Sequence, residues 1–215
     1  MKICTLCPRM CAVDRKSGER GICGQTTEIK VARAALHFWE EPCISGEMGS
    51  GAVFFSGCAL HCVFCQNENI ANGTAGKVIS TERLGEIFLE LQEKGANNIN
   101  LVTPGQFVPQ IIKAVELARN QNLKIPIVYN TSSYENVDTI RSLEGIVDIY
   151  LPDFKYFDTA LSAKYSHAPD YPAVAKAVIA EMVRQTGAAV FENGEDSLMK
   201  RGTIVRHLIL PGCTK

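Results

Sequence analysis

Apolar residues recur along this chain with two different periods. Residues 28–40 alternate at nearly every second position and predict a β-ribbon, on which His37 and Trp39, two apart, share one side. After glycines at 46, 49 and 51, the run Ala52, Val53, Phe54, Phe55 predicts a short strand. Residues 81–94 carry Leu84, Ile87, Phe88 and Leu91 at i, i+3, i+4 and i+7, with Ser80 or Thr81 to cap them and Gly95 to end them, which is an amphipathic helix. The run 98–103 reads as a buried strand, and Pro104-Gly105 then opens a helix to about residue 120 with Val108, Ile111, Ile112 and Val115 on its apolar face. A strand at 125–130, a short helix at 136–143, a strand at 146–151, a helix at 172–186 with proline in its first turn, and a strand at 203–210 complete the pattern.

Strand and helix thus alternate, and the strands are apolar throughout, which calls for a parallel sheet covered by helices, an α/β fold. Five strands are countable from Ala52 onward. In α/β barrels the chemistry sits on the loops that follow the strands. Here those loops hold the run CALHCVFC after the first strand, Thr103 to Gln106 after the second, Asn130 to Ser133 after the third, Asp153 and Lys155 after the fourth, and Pro211-Gly212-Cys213 after the fifth.

The first of these loops changes the picture. Cys58, Cys62 and Cys65 follow a glycine at the spacing CxxxCxxC, so one tight loop can turn three thiolates toward one cluster. A 4Fe-4S cube takes four thiolates, and three from a single loop leave one iron open to something other than protein. Zinc would want a fourth ligand, and His61, inside so short a loop, is poorly placed to be it. Disulfides fit badly with an odd total of nine cysteines and with the absence of an apolar signal-peptide core in the first ten residues. The expectation is a cytoplasmic protein whose clustered thiols mean metal. With 22 basic and 23 acidic residues, the composition makes no electrostatic case for nucleic acid or a membrane surface.

A second thiol group opens the chain: Cys4, Cys7, Cys11 and Cys23, in a stretch punctuated by Pro8, Gly18, Gly21 and Gly24. Such a stretch is too short to build its own core, and a metal supplies what the core does not. Tetrahedral zinc and a closed auxiliary 4Fe-4S cluster suit this set equally. Arg9, Arg15 and Arg20 read as a solvated face and Cys43 as a lone small thiol, while Tyr150, Tyr156 and Tyr165 are open between core and substrate-facing roles.

The three-cysteine loop, with the aromatic Phe64 just before its last cysteine, resembles that of the radical S-adenosylmethionine (SAM) enzymes. The runs CTLCPRMC, FFSGCALHCVFCQN, NLVTP, VYNTSSYE, VDIYLPDFKYFD and RHLILPG, with the EEP element near residue 41, extend the resemblance over nearly the whole chain. They liken it to the pyruvate formate-lyase activating enzyme group, and within it to homologues with an N-terminal CxLCPRxC module. The resemblance implies a partial (β/α) barrel over 51–215 with a Cys-rich metal-binding module and β-ribbon over 1–50. It also implies that SAM bound at the open iron is cleaved by one electron to methionine and a 5′-deoxyadenosyl radical. Hydrogen abstraction from a protein or peptide substrate and a flavodoxin or ferredoxin-type reductant follow from the same likeness.

By position, Phe64, Asn67, Thr103, Gly105, Asn130, Ser132, Asp153, Lys155 and Arg206 become the SAM-binding candidates, and the cluster ligands are the only candidates for catalysis. Lys155 and Arg206 would pair with the SAM carboxylate, and Asp153 or Asn130 would take ribose hydroxyls or the amino group. Two acids of the activating enzymes are amides here, at Asn130 and near Gln106. The group's barrel has six strands, so a chain ending just after its fifth is expected to be truncated, with that strand left as an uncovered edge. Two alternatives stand beside the enzyme: a non-catalytic zinc-binding scaffold and a two-cluster electron-transfer protein.

Overall fold

In the computed structural model, which describes residues 3–192 and 197–213, the chain is built on one nine-stranded sheet. Strand β1 (Ile29–His37) is followed by helix α1 (Pro42–Ser45), β2 (Ser50–Phe55), α2 (Glu68–Ala71), β3 (Lys77–Ile79), α3 (Thr81–Glu93), β4 (Ile99–Val102) and α4 (Val108–Asn120). Then come β5 (Ile127–Thr131), α5 (Val137–Arg141), β6 (Ile149–Phe154), α6 (Thr159–Ser166), α7 (Tyr171–Thr186), β7 (Val190–Phe191), β8 (Met199–Thr203) and β9 (Arg206–His207). The spatial order is β3-β1-β2-β4-β5-β6-β8-β7, with β9 continuing alongside β6. The pairs β2/β4, β4/β5, β5/β6 and β6/β8 are parallel, as continuous apolar strands joined by helices require. This is a mixed α/β architecture, consistent with a partial barrel.

Period-two alternation divides the sheet into two faces. Ile99, Leu101, Ile127, Tyr129 and Tyr150 pack under Leu84, Phe88, Val108, Ile111, Val115, Val178 and Met182 from the covering helices. On the other face, near the start of the parallel strands, Ile44 of α1 packs on Val128, Ile149, Leu151 and Met199. Local chemistry sets the helix boundaries: the Ser80 hydroxyl accepts from the Arg83 N–H at 3.1 Å, and Gly95 takes a left-handed φ of 84°.

Three elements depart from the sequence pattern. The ribbon at 28–40 belongs to the main sheet, because β1 pairs antiparallel with both β2 and β3. The last parallel strand lies earlier than 203–210: Gly202 and Thr203 pair with Ile149 and Tyr150, and the ladder then breaks before Arg206 pairs with Asp153. Leu208 and Ile209, which made that run look like a core strand, are exposed. Nor is this strand an uncovered edge, since β7 pairs with it antiparallel. Helix α6 escaped the periodicity because its apolar face is short, although the Asp158 carboxylate caps it by accepting from the Leu161 N–H at 2.9 Å. The expectation about where the chain ends falls on Thr214 and Lys215, outside the described residues.

Candidate functional site

The cysteine loop leaves the end of β2 through Gly57, whose φ of 86° is left-handed. A cluster of Leu60, Tyr134, Tyr156, Tyr171, Ala168 and Ala175 supports the loop from below. Phe64 leans on Tyr156 and Tyr165, with ring centroids 6.1 and 6.4 Å away. Of the three tyrosines left open by the sequence, Tyr150 and Tyr156 are buried in the core, and Tyr165 backs this loop. The His61 Nε2 lies 2.9 Å from the Ile22 carbonyl and is taken up by it, so the loop brings three thiols and no imidazole. The Leu60 N–H points at the Cys58 sulfur at 3.4 Å, and desolvation still pushes that thiol up to about 11. A bound metal reverses this preference for the neutral form, because its positive charge stabilises thiolate.

The loop opens onto a groove of about 680 Å³. Cys58, Cys62, Cys65, Phe64, Asn67, Thr103, Asn130, Ser132, Asp153, Lys155 and Arg206 all line it, so the structure brings together residues from the loops after four different strands. Gly105 lies elsewhere, in a buried turn against Glu135, where an added Cβ would come within 2.5 Å of the carboxylate. Gln106 also turns away from the groove, and its Nε2 donates to the carbonyls of Ser56, Gly57 and Thr103 at 2.9–3.0 Å. Thr103 is held at a left-handed φ of 56°, a sparsely populated backbone for a β-branched residue.

The groove floor is an ion network. Asp153 accepts from Lys155 Nζ at 2.7 Å with one oxygen and from Arg206 Nε at 2.7 Å with the other. Arg206 donates further to Asn130 Oδ1 at 2.6 Å and to Glu40 Oε1 at 2.9 Å. Both cations are therefore committed to protein carboxylates, and a ligand carboxylate would have to share them. Glu40 was not among the sequence candidates. Its signal was the paired acid before Pro42, and what makes it part of the site is a contact across 166 positions. Burial pushes its carboxyl above the usual range, with Arg206 pulling the other way.

The N-terminal thiols line a second cavity against the back of the same loop. Cys4, Cys7, Cys11 and Cys23 border it together with Cys58, Arg9, Arg15, Gly105, Gln106 and Glu135. Cys11 and Cys23 approach across Gly21, where an added Cβ would sit 3.0 and 3.6 Å from their sulfurs. Desolvation pushes Cys7 up to about 12 and raises Cys23 as well, and it pushes the buried Glu135 up to about 7 despite donors on Thr131 and Tyr129. Among the described residues, no three His, Cys, Asp or Glu side chains converge on a single ion. The thiols of each group are thus brought to one place without being gathered on one centre, and their assignment to metal rests on the chemistry of the donor set.

Two of the nearby arginines are structural braces rather than a solvated face. Arg9 donates to the carbonyls of Ala59 (2.9 Å), Ser166 (2.7 Å) and His167 (2.5 Å) and lies over the Tyr134 ring at 5.1 Å, tying the cysteine loop to the C-terminal end of α6. Arg15, 4% exposed, donates to Gln25 O at 3.2 Å, to Gln106 O at 2.8 Å and to Thr26 O. Arg15→Met is expected to cost about 2–3 kcal/mol, because it leaves buried carbonyls without donors. The check is a lower urea midpoint at unchanged slope. Arg20, by contrast, is exposed, as the sequence suggests.

Comparison with known proteins gives two findings. A family model described as the Radical SAM superfamily matches residues 52–186. An uncharacterised protein of Methanocaldococcus jannaschii is 27% identical over 217 residues, in an alignment covering 98% of this chain and 57% of that protein. The chain therefore spans little more than half the length of this relative. No helix among the described residues is long and apolar enough to cross a membrane.

Proposed function

The chain belongs to the Radical SAM superfamily, and from that premise we propose that it reductively cleaves SAM, with Cys58, Cys62 and Cys65 holding the 4Fe-4S cluster and the adjoining groove holding SAM. The superfamily implies an enzyme that uses both groups. The observation that carries this reading is that the three-thiol loop and the polar residues at the ends of β4, β5 and β6 line one groove. When bound, the cluster supplies one electron for opening the C5′–S bond of SAM and thereby for hydrogen abstraction.

The chain's own residues bind and orient. Phe64 and Asn67 border the groove beside the thiols, Thr103, Asn130 and Ser132 line its wall, and Asp153, Lys155 and Arg206 form a charged floor. The aromatic packing under Leu60 supports the loop and fixes where its thiols stand. Cys4, Cys7, Cys11 and Cys23 hold a second metal, zinc or 4Fe-4S, which braces the Cys-rich start of the 1–50 segment against the partial barrel of 51–215, whose sheet the ribbon of that segment joins. The likeness to pyruvate formate-lyase activating enzymes extends the reading to a protein or peptide substrate, a flavodoxin or ferredoxin-type reductant and a cytoplasmic setting.

The test is the iron, sulfide and zinc content of anaerobically purified protein, with dithionite-driven SAM cleavage measured alongside. About four irons with zinc would assign the N-terminal thiols to zinc, and about eight irons would assign them to a second cluster. Methionine and 5′-deoxyadenosine are the expected products. Zinc without iron, after anaerobic reconstitution has also failed, would overturn the reading in favour of a zinc scaffold.

A further inference from the structure

The groove floor carries a carboxylate pair that comes from neither the parallel strands nor the cysteine loop. Glu40 and Glu41 lie between β1 and α1, and this segment is anchored where Ile44 is fully buried against Val128, Ile149 and Leu151. From there Glu40 reaches the charged floor. Its Oε1 accepts from Arg206 Nη1 at 2.9 Å, and its Oε2 accepts from Asn100 Nδ2 at 2.8 Å and from Asn130 Nδ2 at 3.4 Å. Asn130 in turn accepts from Arg206 Nη2 at 2.6 Å, so both ends of its amide are fixed. Every contact Glu40 makes here is with a donor, and a glutamine in its place would turn an NH₂ toward one of them.

Glu41 is the less satisfied of the pair. Its Oε1 stands 3.7 Å from Arg206, too long for a hydrogen bond, and its buried Oε2 accepts from nothing among the described residues. A buried carboxylate oxygen without a donor is costly. Glu41 lines the groove with a side chain that is 26% exposed, so with Oε2 shut away it is Oε1, held 3.7 Å from Arg206, that a groove occupant can reach and supply with a donor. Within the ion network Lys155 and Arg206 are matched by Asp153 and Glu40, with Glu41 at the longer 3.7 Å from Arg206. Arg33 lines the same groove, so its formal charges balance, and what Glu41 lacks is a close donor. SAM bears hydroxyl and ammonium donors.

We propose that Glu40 and Glu41 form a binding element for SAM, in which Glu40 is a positioning residue that holds Arg206 and Asn130 and Glu41 accepts a hydrogen bond from a SAM hydroxyl or ammonium. This inference rests on the Radical SAM reading of the groove. It also brings a carboxylate to the side of Asn130, the position at which the strands themselves offer only an amide.

The test uses the anaerobically reconstituted full chain as parent, Glu40→Gln and Glu41→Gln. SAM affinity is measured by calorimetry, and the EPR spectrum of the reduced cluster is recorded as SAM is added. Each variant is expected to bind SAM about tenfold or more weakly, the scale of losing a hydrogen bond to a charged group. The SAM-dependent change in the spectrum should move to correspondingly higher SAM concentration, while iron content and the SAM-free spectrum match the parent. Glu40→Gln should add little further loss to Arg206→Gln, because the two residues act through one contact. If Glu40→Gln fails to fold, Glu41→Gln carries the test by itself. Parental SAM affinity in the variants would overturn the inference alone. A parent that holds its cluster yet binds no SAM would overturn the reading of the groove, and the inference with it.

Discussion

Alanine at Cys58, Cys62 and Cys65 together is expected to reduce SAM cleavage to the background of the protein-free reaction and to remove about four irons per chain. The loop supplies three sulfur ligands and no imidazole, since the His61 ring is engaged by Ile22. No neighbouring side chain on the loop replaces a lost thiolate. The fold should tolerate the change. Cys58 and Cys62, both half-buried, contribute apolar contact to the cluster of Leu60, Tyr156 and Tyr171, and alanine keeps much of it. The decisive comparison is deoxyadenosine formation and iron content in the variant and the parent, with circular dichroism confirming that both are folded. Full cleavage by the variant would separate the chemistry from this loop.

Gly57→Ala is expected to be among the most destabilising single substitutions outside the hydrophobic core, at about 3 kcal/mol. Roughly 1–2 kcal/mol comes from forcing a side chain into left-handed backbone and about 1–3 kcal/mol from overpacking. The geometry leaves no escape, because φ is 86° and an added Cβ would meet the backbone carbonyl of Cys23 and lie 2.6 Å from Gln25 Cγ. Backbone on one side and a buried glutamine on the other cannot both retreat. Since Gly57 begins the Cys58 loop and Cys23 belongs to the N-terminal thiols, the clash wedges the two thiol groups apart. The variant should show a lower denaturation midpoint and hold less metal at both sites. A Gly57→Ala protein with parental stability and metal content would mean that the two cysteine groups do not depend on this contact.

Much of the parallel sheet was legible because its residues announce themselves locally. Leu84, Ile87, Phe88 and Leu91 recur at helical spacing whatever they pack against, and the strand at 99–102 sets Ile99 and Leu101 under the covering helices while Asn100 turns to Glu40 on the other face. Where local chemistry and burial disagreed, the reading slipped. Leu208 and Ile209 look like core, yet the ladder with β6 places Gly202 and Thr203 opposite Ile149 and Tyr150, and the apolar pair falls beyond it. Arginine raised the opposite problem. Arg9 and Arg15 look like solvated charges in a linear chain, and become braces where carbonyls from Ala59, Ser166, Gln25 and Gln106 surround their planar guanidinium groups.

The amino-acid sequence by itself determined the two thiol groups, the alternation of strand and helix, and hence the end of the sheet where polar loops gather. These follow from spacing, turn residues and periodicity, which act over a few residues. Tertiary structure alone decided that the N-terminal thiols lie against the Cys58 loop, that Gly105 and Gln106 turn away from the groove, and that Glu40 meets Arg206 across 166 positions. Such contacts depend on how the chain returns on itself, and no local period encodes which carboxylate will neutralise which cation.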